Sequence, residues 1–403
     1  MTTEQGIKTL LDAMKGFHGK FKKMYGQVAL RLDDDAYLTS GGNTLLSAIQ
    51  AEDLSICDIN SGDLGAIFRK REDINVFIFG CSPDTVEVSN EVNALPVALE
   101  DMAQLAGSSV PVASDATPGT LLVSLRNSSV CLIKGTGAVA VSKNAKVAVA
   151  SIHILQKSCE AYTHGKMLGG LKPLDENLAA WFQETFRSNY LDTNEESHVN
   201  YVGFNEDRFK LRAQLVDYGK QLIKDALAYG KSGNLSIRST VDENHMLISP
   251  SSMDYFEIGP EDTVLVDLNT LEYGDQRVPS SDVELHAEMY RKLPGCNAII
   301  HTHSNACGVF AACEAGFTMT DPNLQQIIGD IKVVPYTPED QELTMNNIIA
   351  TLGETHAAIL PHHGAIFYGP SLDIVYEIAK AVEMMARNLL QYDVKPVDET
   401  EEA

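Results

Sequence analysis

Paired cysteines, basic charge and long apolar runs are all scarce in this chain. Its seven cysteines, at 57, 81, 131, 159, 296, 307 and 313, are odd in number and form no CxxC pair. That excludes a disulfide framework or a zinc–thiolate site and fits reduced thiols. Lysine and arginine number 31 against 55 acidic residues, a net charge of −24. Phosphate backbones are gripped by basic patches, so nucleic acid is excluded as a general partner. A small phosphorylated ligand needs only a few local donors and stays open. No apolar stretch approaches the roughly 18 residues needed to cross a bilayer. The start, "MTTEQGIKTL", lacks the basic and apolar regions of a signal peptide. The expectation is a cytoplasmic protein with no membrane partner, ending in a solvated acidic tail over 396–403.

What the chain does have is a repeat. At 403 residues it exceeds what one hydrophobic core usually serves, so two domains are expected. "AYLTSGGNTLLSAIQAEDLSICDINSGD" (36–63) aligns without a gap beneath "HMLISPSSMDYFEIGPEDTVLVDLNTLE" (245–272): Leu38 meets Leu247, Ser40 meets Ser249 and Asp58 meets Asp267. "YGQVALR" (25–31) lies under "SGNLSIR" (232–238). "CLIKGTGAVAVSKNAKVAVASIHI" (131–154) lies under "AILPHHGAIFYGPSLDIVYEIAKA" (358–381). In both copies a short apolar strand reaches a glycine turn, a second strand follows, and then a helix. This reads as tandem duplication of one α/β unit. Residues 166–205, with the helical "DENLAAWFQETFRSNY" and the polar "LDTNEESHVN", read as the connection.

"TVLVDL", "NAIIHTH", "IKVVPY" and "HAAIL" are runs suited to strands. "SSDVELHAEMYRKL" (280–293) reads as a helix with Ser-Ser-Asp at its N-cap, and "SLDIVYEIAKAVEMMARNLLQY" (371–392) as a long amphipathic helix whose paired methionines face the core. The fold class is α/β. "GTGAVA" (135–140) matches the dinucleotide pattern G-x-G-x-x-A, which requires a helix directly after the glycines. Here "AVAV" reads as strand, so NAD is not expected.

On a strand, residues two apart share a face, so His301 and His303 at the end of "NAIIHTH" present two imidazoles to one point. A metal ion satisfies both at once, and tetrahedral zinc asks for a further histidine or carboxylate. "PHHG" (361–364) and the acids of "PSSDVELH" (279–286) are the candidates. In the first copy Phe79 and Cys81 stand at the positions of His301 and His303, and Thr136 at that of His363. All three histidines are absent together, as expected of one functional unit. The alignment offset also grows between Ser40/Ser249 and Phe79/His301, which gives the second copy 13 extra residues around "PSSDVELH".

The ordered motifs "SGNLSIR", "ISPSSMDY", "VPSSDVELH", "AIIHTHS" and "LPHHGAIFYG" resemble the class II aldolase/adducin family, strongly over 206–395 and in degenerate form over 1–165. The resemblance implies two class II aldolase-like α/β/α domains, each a mixed or mainly antiparallel sheet covered by helices. Domain one (1–165) would lack a metal site, and domain two (206–395) would be catalytic. It further implies His301, His303 and His363 as ligands of a divalent metal, zinc first, with manganese or another divalent ion as alternatives. Asp282 falls where family aldolases carry a glutamate that acts as acid/base. Gly233, Asn234, Ser251, Ser252, Ser280 and Ser281 match phosphate-binding positions, and hydroxyls and N–H groups at loops and a helix N-terminus suit an anion. Lys231 could add charge. Glu284 reads as solvated, His286 as packed or hydrogen-bonded, and Cys307 and Cys313 as packed.

The implied activity is retro-aldol cleavage of a ketose phosphate through a metal-bound enediolate. The alternatives are a sugar-phosphate 4-epimerase, a dehydratase or decarboxylase of the same family, and a non-catalytic scaffold as in adducin. The epimerase branch uses an aspartate where "DPNLQQIIGD" places Gln325, and Tyr392 is a weak candidate for a C-terminal tyrosine that the family uses. Family enzymes form fourfold rings, so a chain carrying two copies is expected to pair into a homodimeric pseudo-tetramer.

Overall fold

The computed structural model describes residues 1–17, 23–189, 206–274 and 277–391. Tyr392, residues 190–205 of the connection and the acidic tail lie outside the described residues. The first half holds strands β1 (Tyr25–Arg31), β2 (Ala36–Thr39), β3 (Thr44–Leu45), β4 (Ser55–Asp58), β5 (Val76–Cys81), β6 (Ala94–Pro96), β7 (Ser109–Ala113), β8 (Val130–Ile133) and β9 (Gly137–Ser142). Its helices are α1 (Thr3–Met14), α2 (Gly62–Lys70), α3 (Pro83–Glu91), α4 (Glu100–Ala106), α5 (Pro118–Ser124) and α6 (Ala145–Gly165), followed by α7 (Glu176–Asn189). The second half opens with α8 (Glu206–Lys224) and continues with β10 (Asn234–Arg238), β11 (His245–Ile248), β12 (Val264–Asp267), α9 (Val283–Lys292), β13 (Ala298–Thr302) and α10 (Asn305–Ala312). It closes with α11 (Pro322–Ile328), β14 (Lys332–Val333), α12 (Gln341–Leu352), β15 (Ala357–Leu360), β16 (Gly364–Gly369) and α13 (Leu372–Leu389).

The two sheets repeat one topology. The order β4-β2-β1-β5-β9-β8-β7 in the first is matched by β12-β11-β10-β13-β16-β15-β14 in the second. Each is antiparallel except for one parallel pair, β7–β8 and β14–β15. Register repeats too. Gln27, Phe79 and Val139 form one rung across β1, β5 and β9, and Asn234, His301 and Ile366 form the equivalent rung across β10, β13 and β16. These are the pairings that the aligned sequences require, because a slip of one residue would turn every side chain to the other face. The strand expected over 331–336 is limited to Lys332–Val333.

The layers follow from burial. Outer helices α2 and α5 cover one face of the first sheet over Phe68, Phe77 and Leu121, and α9 and α12 cover one face of the second over Met246, Met289 and Leu352. Between the sheets lies a single apolar core to which both halves contribute, including Ile152, Leu155 and Cys159 of α6 and Val309, Phe310 and Ala312 of α10. The small residues of "NACGVFAA" lie along α6, with Gly308 beside the Lys157 stem, and at the end of α6 a Cβ built on Gly165 would meet Cys313 Sγ at 2.7 Å. Cys307 and Cys313 are packed in that core. On α13, Met385 packs partly against it while Met384 is 59% exposed, because successive helical residues point about 100° apart. The connection starts as a tie between the halves, with Leu174 N–H donating to Val97 O (2.9 Å) and Lys172 N–H to Ala312 O (2.8 Å), before α7 packs on α4.

Candidate metal centre

His301 sits on a central strand buried throughout, flanked by β10 and β16. His303 follows one residue beyond the end of that strand. His363 stands in the turn between β15 and β16, closed by its own N–H donating to Leu360 O at 3.1 Å. The three rings meet with centroids 4.7, 4.8 and 4.7 Å apart. One nitrogen from each lies within 4.8 Å of the others, and among the described residues no other trio of histidine, cysteine or acidic groups is gathered in this way.

The nitrogens suit a cation. His301 Nδ1 donates to Ala365 O (3.0 Å), which leaves a lone pair on Nε2, and that Nε2 faces His303 Nε2 at 2.9 Å. Facing lone pairs repel unless a proton or a metal lies between them, and a tetrahedral zinc with bonds of about 2.0–2.1 Å would hold its nitrogens roughly 3.4 Å apart. His363 Nδ1 is 2.5 Å from Glu100 Oε2, which leaves Nε2 as its ligand atom once a metal displaces the proton there. Burial, helped by neighbouring His363, depresses His301 to about 3, and the same causes hold His303 well below the usual imidazole value. Both are therefore neutral, the ligating form. Burial works against a charge on His363 as well, but the adjacent Glu100 carboxylate outweighs it and raises the group to about 9.

Asp282 lies beside this cluster. It occupies the N-cap of α9 but its side chain makes no cap bond; Oδ2 instead accepts from Asn234 Nδ2 at 2.7 Å. Burial pushes its carboxyl up, yet the fields of His301, His363 and His286 and the Asn234 bond leave it below the usual carboxylate range. Asn234 Oδ1 is buried with no hydrogen-bond partner among the described residues. Gly233 precedes it at φ +69°, where a Cβ would lie 2.8 Å from His301 O. Only glycine fits that close approach.

The serine loops come together by backbone pairing. An isolated bridge joins Pro250 to Pro279, Ser251 N–H donates to Val278 O (2.9 Å) and Ser280 N–H to Ser249 O (3.1 Å). Ser251 and Ser252 hydroxyls are 3.4 Å apart, Ser280 is buried with its Oγ accepting from Asp282 N–H (3.3 Å), and Ser281 is exposed. Lys231 and Glu284 are exposed. His286 is fully buried and its Nδ1 meets Ser236 Oγ at 2.7 Å. The glycines of "GTGAVA" feed strand β9, so the helix that a dinucleotide turn requires does not follow them.

His362, adjacent to the triad, has a different task. Its φ of +62° is the left-handed region, a cost of about 1–2 kcal/mol for a side-chain-bearing residue. The conformation is held by His362 N–H to Ala311 O (3.1 Å), Nδ1 to Ala98 O (3.0 Å), Nε2 near Glu314 Oε1 (3.2 Å) and Glu100 N–H to His362 O (2.8 Å). The turn that carries His363 is thus clamped to the first half.

Sequence reasoning missed Glu100, Asp101 and Lys157. Glu100 and Asp101 open α4, and Lys157 lies on α6 with no exposed side-chain surface, its ammonium paired to Asp101 Oδ2. Glu100 is 263 positions from its partner His363, and the repeat sets Glu100 opposite Pro322, so no local motif marks it.

The profile described as "Class II Aldolase and Adducin N-terminal domain" matches residues 13–163 and 213–390, and the chain belongs to that family. Among its relatives, 5-deoxy-D-ribulose 1-phosphate aldolase of Bacillus thuringiensis serovar kurstaki is 28% identical over 194 residues, covering 47% of this chain and 88% of that protein. L-fuculose phosphate aldolase of Haemophilus influenzae is 29% identical over 185 residues, 45% of this chain and 82% of that one. A solved L-fuculose 1-phosphate aldolase is 28% identical with a TM-score of 0.42, covering 47% of this chain and 89% of its own.

Proposed function

We propose that the chain is a metal-dependent aldolase that cleaves a ketose phosphate into a ketone phosphate and an aldehyde. The convergence of His301, His303 and His363 nitrogens within 4.8 Å carries this reading. A divalent ion held there, zinc first and manganese as the alternative, supplies Lewis-acid polarisation of a carbonyl and its neighbouring hydroxyl. Asp282, ionised and hinged on Asn234, takes the proton of the hydroxyl on the carbon that becomes the aldehyde. As the carbon–carbon bond breaks, its electron pair stays with the ketone fragment, and Asp282 returns the proton to that carbon. Gly233, Asn234, Ser251, Ser252, Ser280 and Ser281 anchor the phosphate through hydroxyls and N–H groups on three adjoining loops, with Lys231 at the rim. The name of the Bacillus thuringiensis relative supports a ketose 1-phosphate, and that of the Haemophilus influenzae relative a ketose phosphate, as the first substrates to try.

Two observations weigh against the epimerase and the scaffold readings, and the dehydratase or decarboxylase reading stays as the alternative. Gln325, at the epimerase position, spends its amide on closing its own loop through Met319 N–H (3.1 Å) and Asp330 (2.9 Å). A scaffold has no use for three buried or half-buried imidazoles facing one another. No helix among the described residues is long and apolar enough to cross a membrane, in keeping with a cytoplasmic enzyme, and a native mass of two chains is the expected assembly. The test is aldehyde release from a panel of ketose 1-phosphates with metal supplied and with chelator. Release abolished by chelation supports the proposal; release indifferent to chelation contradicts it.

A further inference from the structure

The half without the metal-site histidines places three charged side chains against the histidine cluster. Glu100 Oε2 lies 2.5 Å from His363 Nδ1. Next to it Asp101 pairs with Lys157, whose stem runs along Gly308 one turn beyond His303. The Glu100 side chain is only 16% exposed, that of Asp101 13% and that of Lys157 0%, so none of the three is a solvated surface charge. A buried carboxylate of this kind is costly unless a partner repays its desolvation. The Asp101 carboxylate is offset by Lys157. The Glu100 carboxylate is offset by His363.

We propose that Glu100 is the positioning residue of the third imidazole, so that the affinity of the second half for its metal is set by the first half. The argument rests on the metal-centre reading above. A carboxylate on Nδ1 fixes the Nε2 lone pair toward the other two histidines and makes that nitrogen a stronger donor, and removal of such a partner typically weakens metal affinity about 10- to 100-fold. His301 has a neutral carbonyl, Ala365 O, in the same place, and His303 Nδ1 is buried with no partner among the described residues. His363 is thus the one ligand candidate with a charged support. It also stands at the end of the short turn that joins β15 (ending at Leu360) to β16 (starting at Gly364). The backbone clamp at His362 and the Glu100 side chain then act together: the first positions the turn, the second the ring.

The experiment is competitive metal titration of the full chain, with Zn2+ against a chromophoric chelator, and the visible spectrum of Co2+-loaded protein. Glu100→Ala is expected to lose 10- to 100-fold in affinity and to change the Co2+ spectrum, while Glu100→Gln, which keeps an acceptor but no charge, falls between it and the parent. Asp242→Asn is the control, because Asp242 forms a carboxylate–histidine contact with His245 (2.9 Å) at the start of β11, outside the triad and its clamp. It is expected to lower the melting temperature with metal affinity unchanged. Melting of each metal-free variant separates folding damage from ligand loosening. Parent-like affinity and spectrum in Glu100→Ala overturn the inference while leaving the metal centre standing. A parent chain that takes up no metal overturns the metal-centre reading itself.

Discussion

Asn234 stands directly opposite His301 in the β10–β13 ladder, and on the same rung of the first sheet Gln27 stands opposite Phe79. The two rungs share backbone geometry and differ in chemistry. In the second half the pair leads on to Asp282 through the Asn234 amide, 2.7 Å away. In the first half there is no counterpart to reach, because the segment that carries the Ser280–Asp282 loop is the 13-residue insertion.

Replacing Asp282 by Asn removes the proton acceptor and leaves the three histidines in place. Turnover is expected to drop about 10²- to 10⁴-fold, with metal content and melting temperature close to those of the parent. Steady-state kinetics and metal analysis on one preparation check this. Undiminished turnover removes Asp282 from the chemistry.

Gly364→Ala tests the close approach of β13 and β16. A Cβ there would sit 2.1 Å from Thr302 O, and backbone cannot yield as a side chain can. The equivalent Gly137 faces Gly80 O at 2.6 Å in the first half, so the same demand recurs in both copies. A loss of at least about 1–3 kcal/mol is expected, read from the urea midpoint, and the rung beside His303 and His363 should open with it.

Acid should unfold the chain through two histidines outside the site. Burial depresses His153, against the ring of Phe17, and His286, on the buried face of α9, to about 4 each. Unfolded histidine titrates near 6.5. Between these values the unfolded chain binds more protons than the folded one, so stability rises with pH. Their contribution is complete above about pH 6.5 and is lost as pH falls toward 4, at most ~3 kcal/mol for each. Urea midpoints at pH 4.5, 5.5 and 7 should fall in that order of acidity, and His286→Gln should flatten the slope. A midpoint constant from pH 7 to 4.5 contradicts the assignment.

Much of this was legible in the sequence, for physical reasons. The apolar runs and glycine turns recur in the same order in both halves despite the 13-residue insertion, and strand register follows from period two, so the second sheet could be laid on the first by alignment alone. His301 and His303 announce themselves because imidazoles two apart on a buried strand need a common partner. Asp282 was visible at its helix start, but a capping role for its side chain was the simpler expectation; the structure spends it on Asn234 instead. Glu100 and the Lys157–Asp101 pair were not legible. They reach the site through the packing of α4 and α6 onto the other half, and contacts 263 residues apart leave no local pattern. The small residues of "NACGVFAA" are plain in the sequence, while their purpose, letting α10 lie against α6, appears only in three dimensions.

The most direct measurement is elemental analysis of the purified full chain, beside a His363→Ala variant prepared identically. One divalent ion per chain in the parent and a small fraction of that in the variant is the expected result. A parent that cleaves a ketose phosphate with no bound metal, or a variant that keeps a full equivalent, contradicts the account.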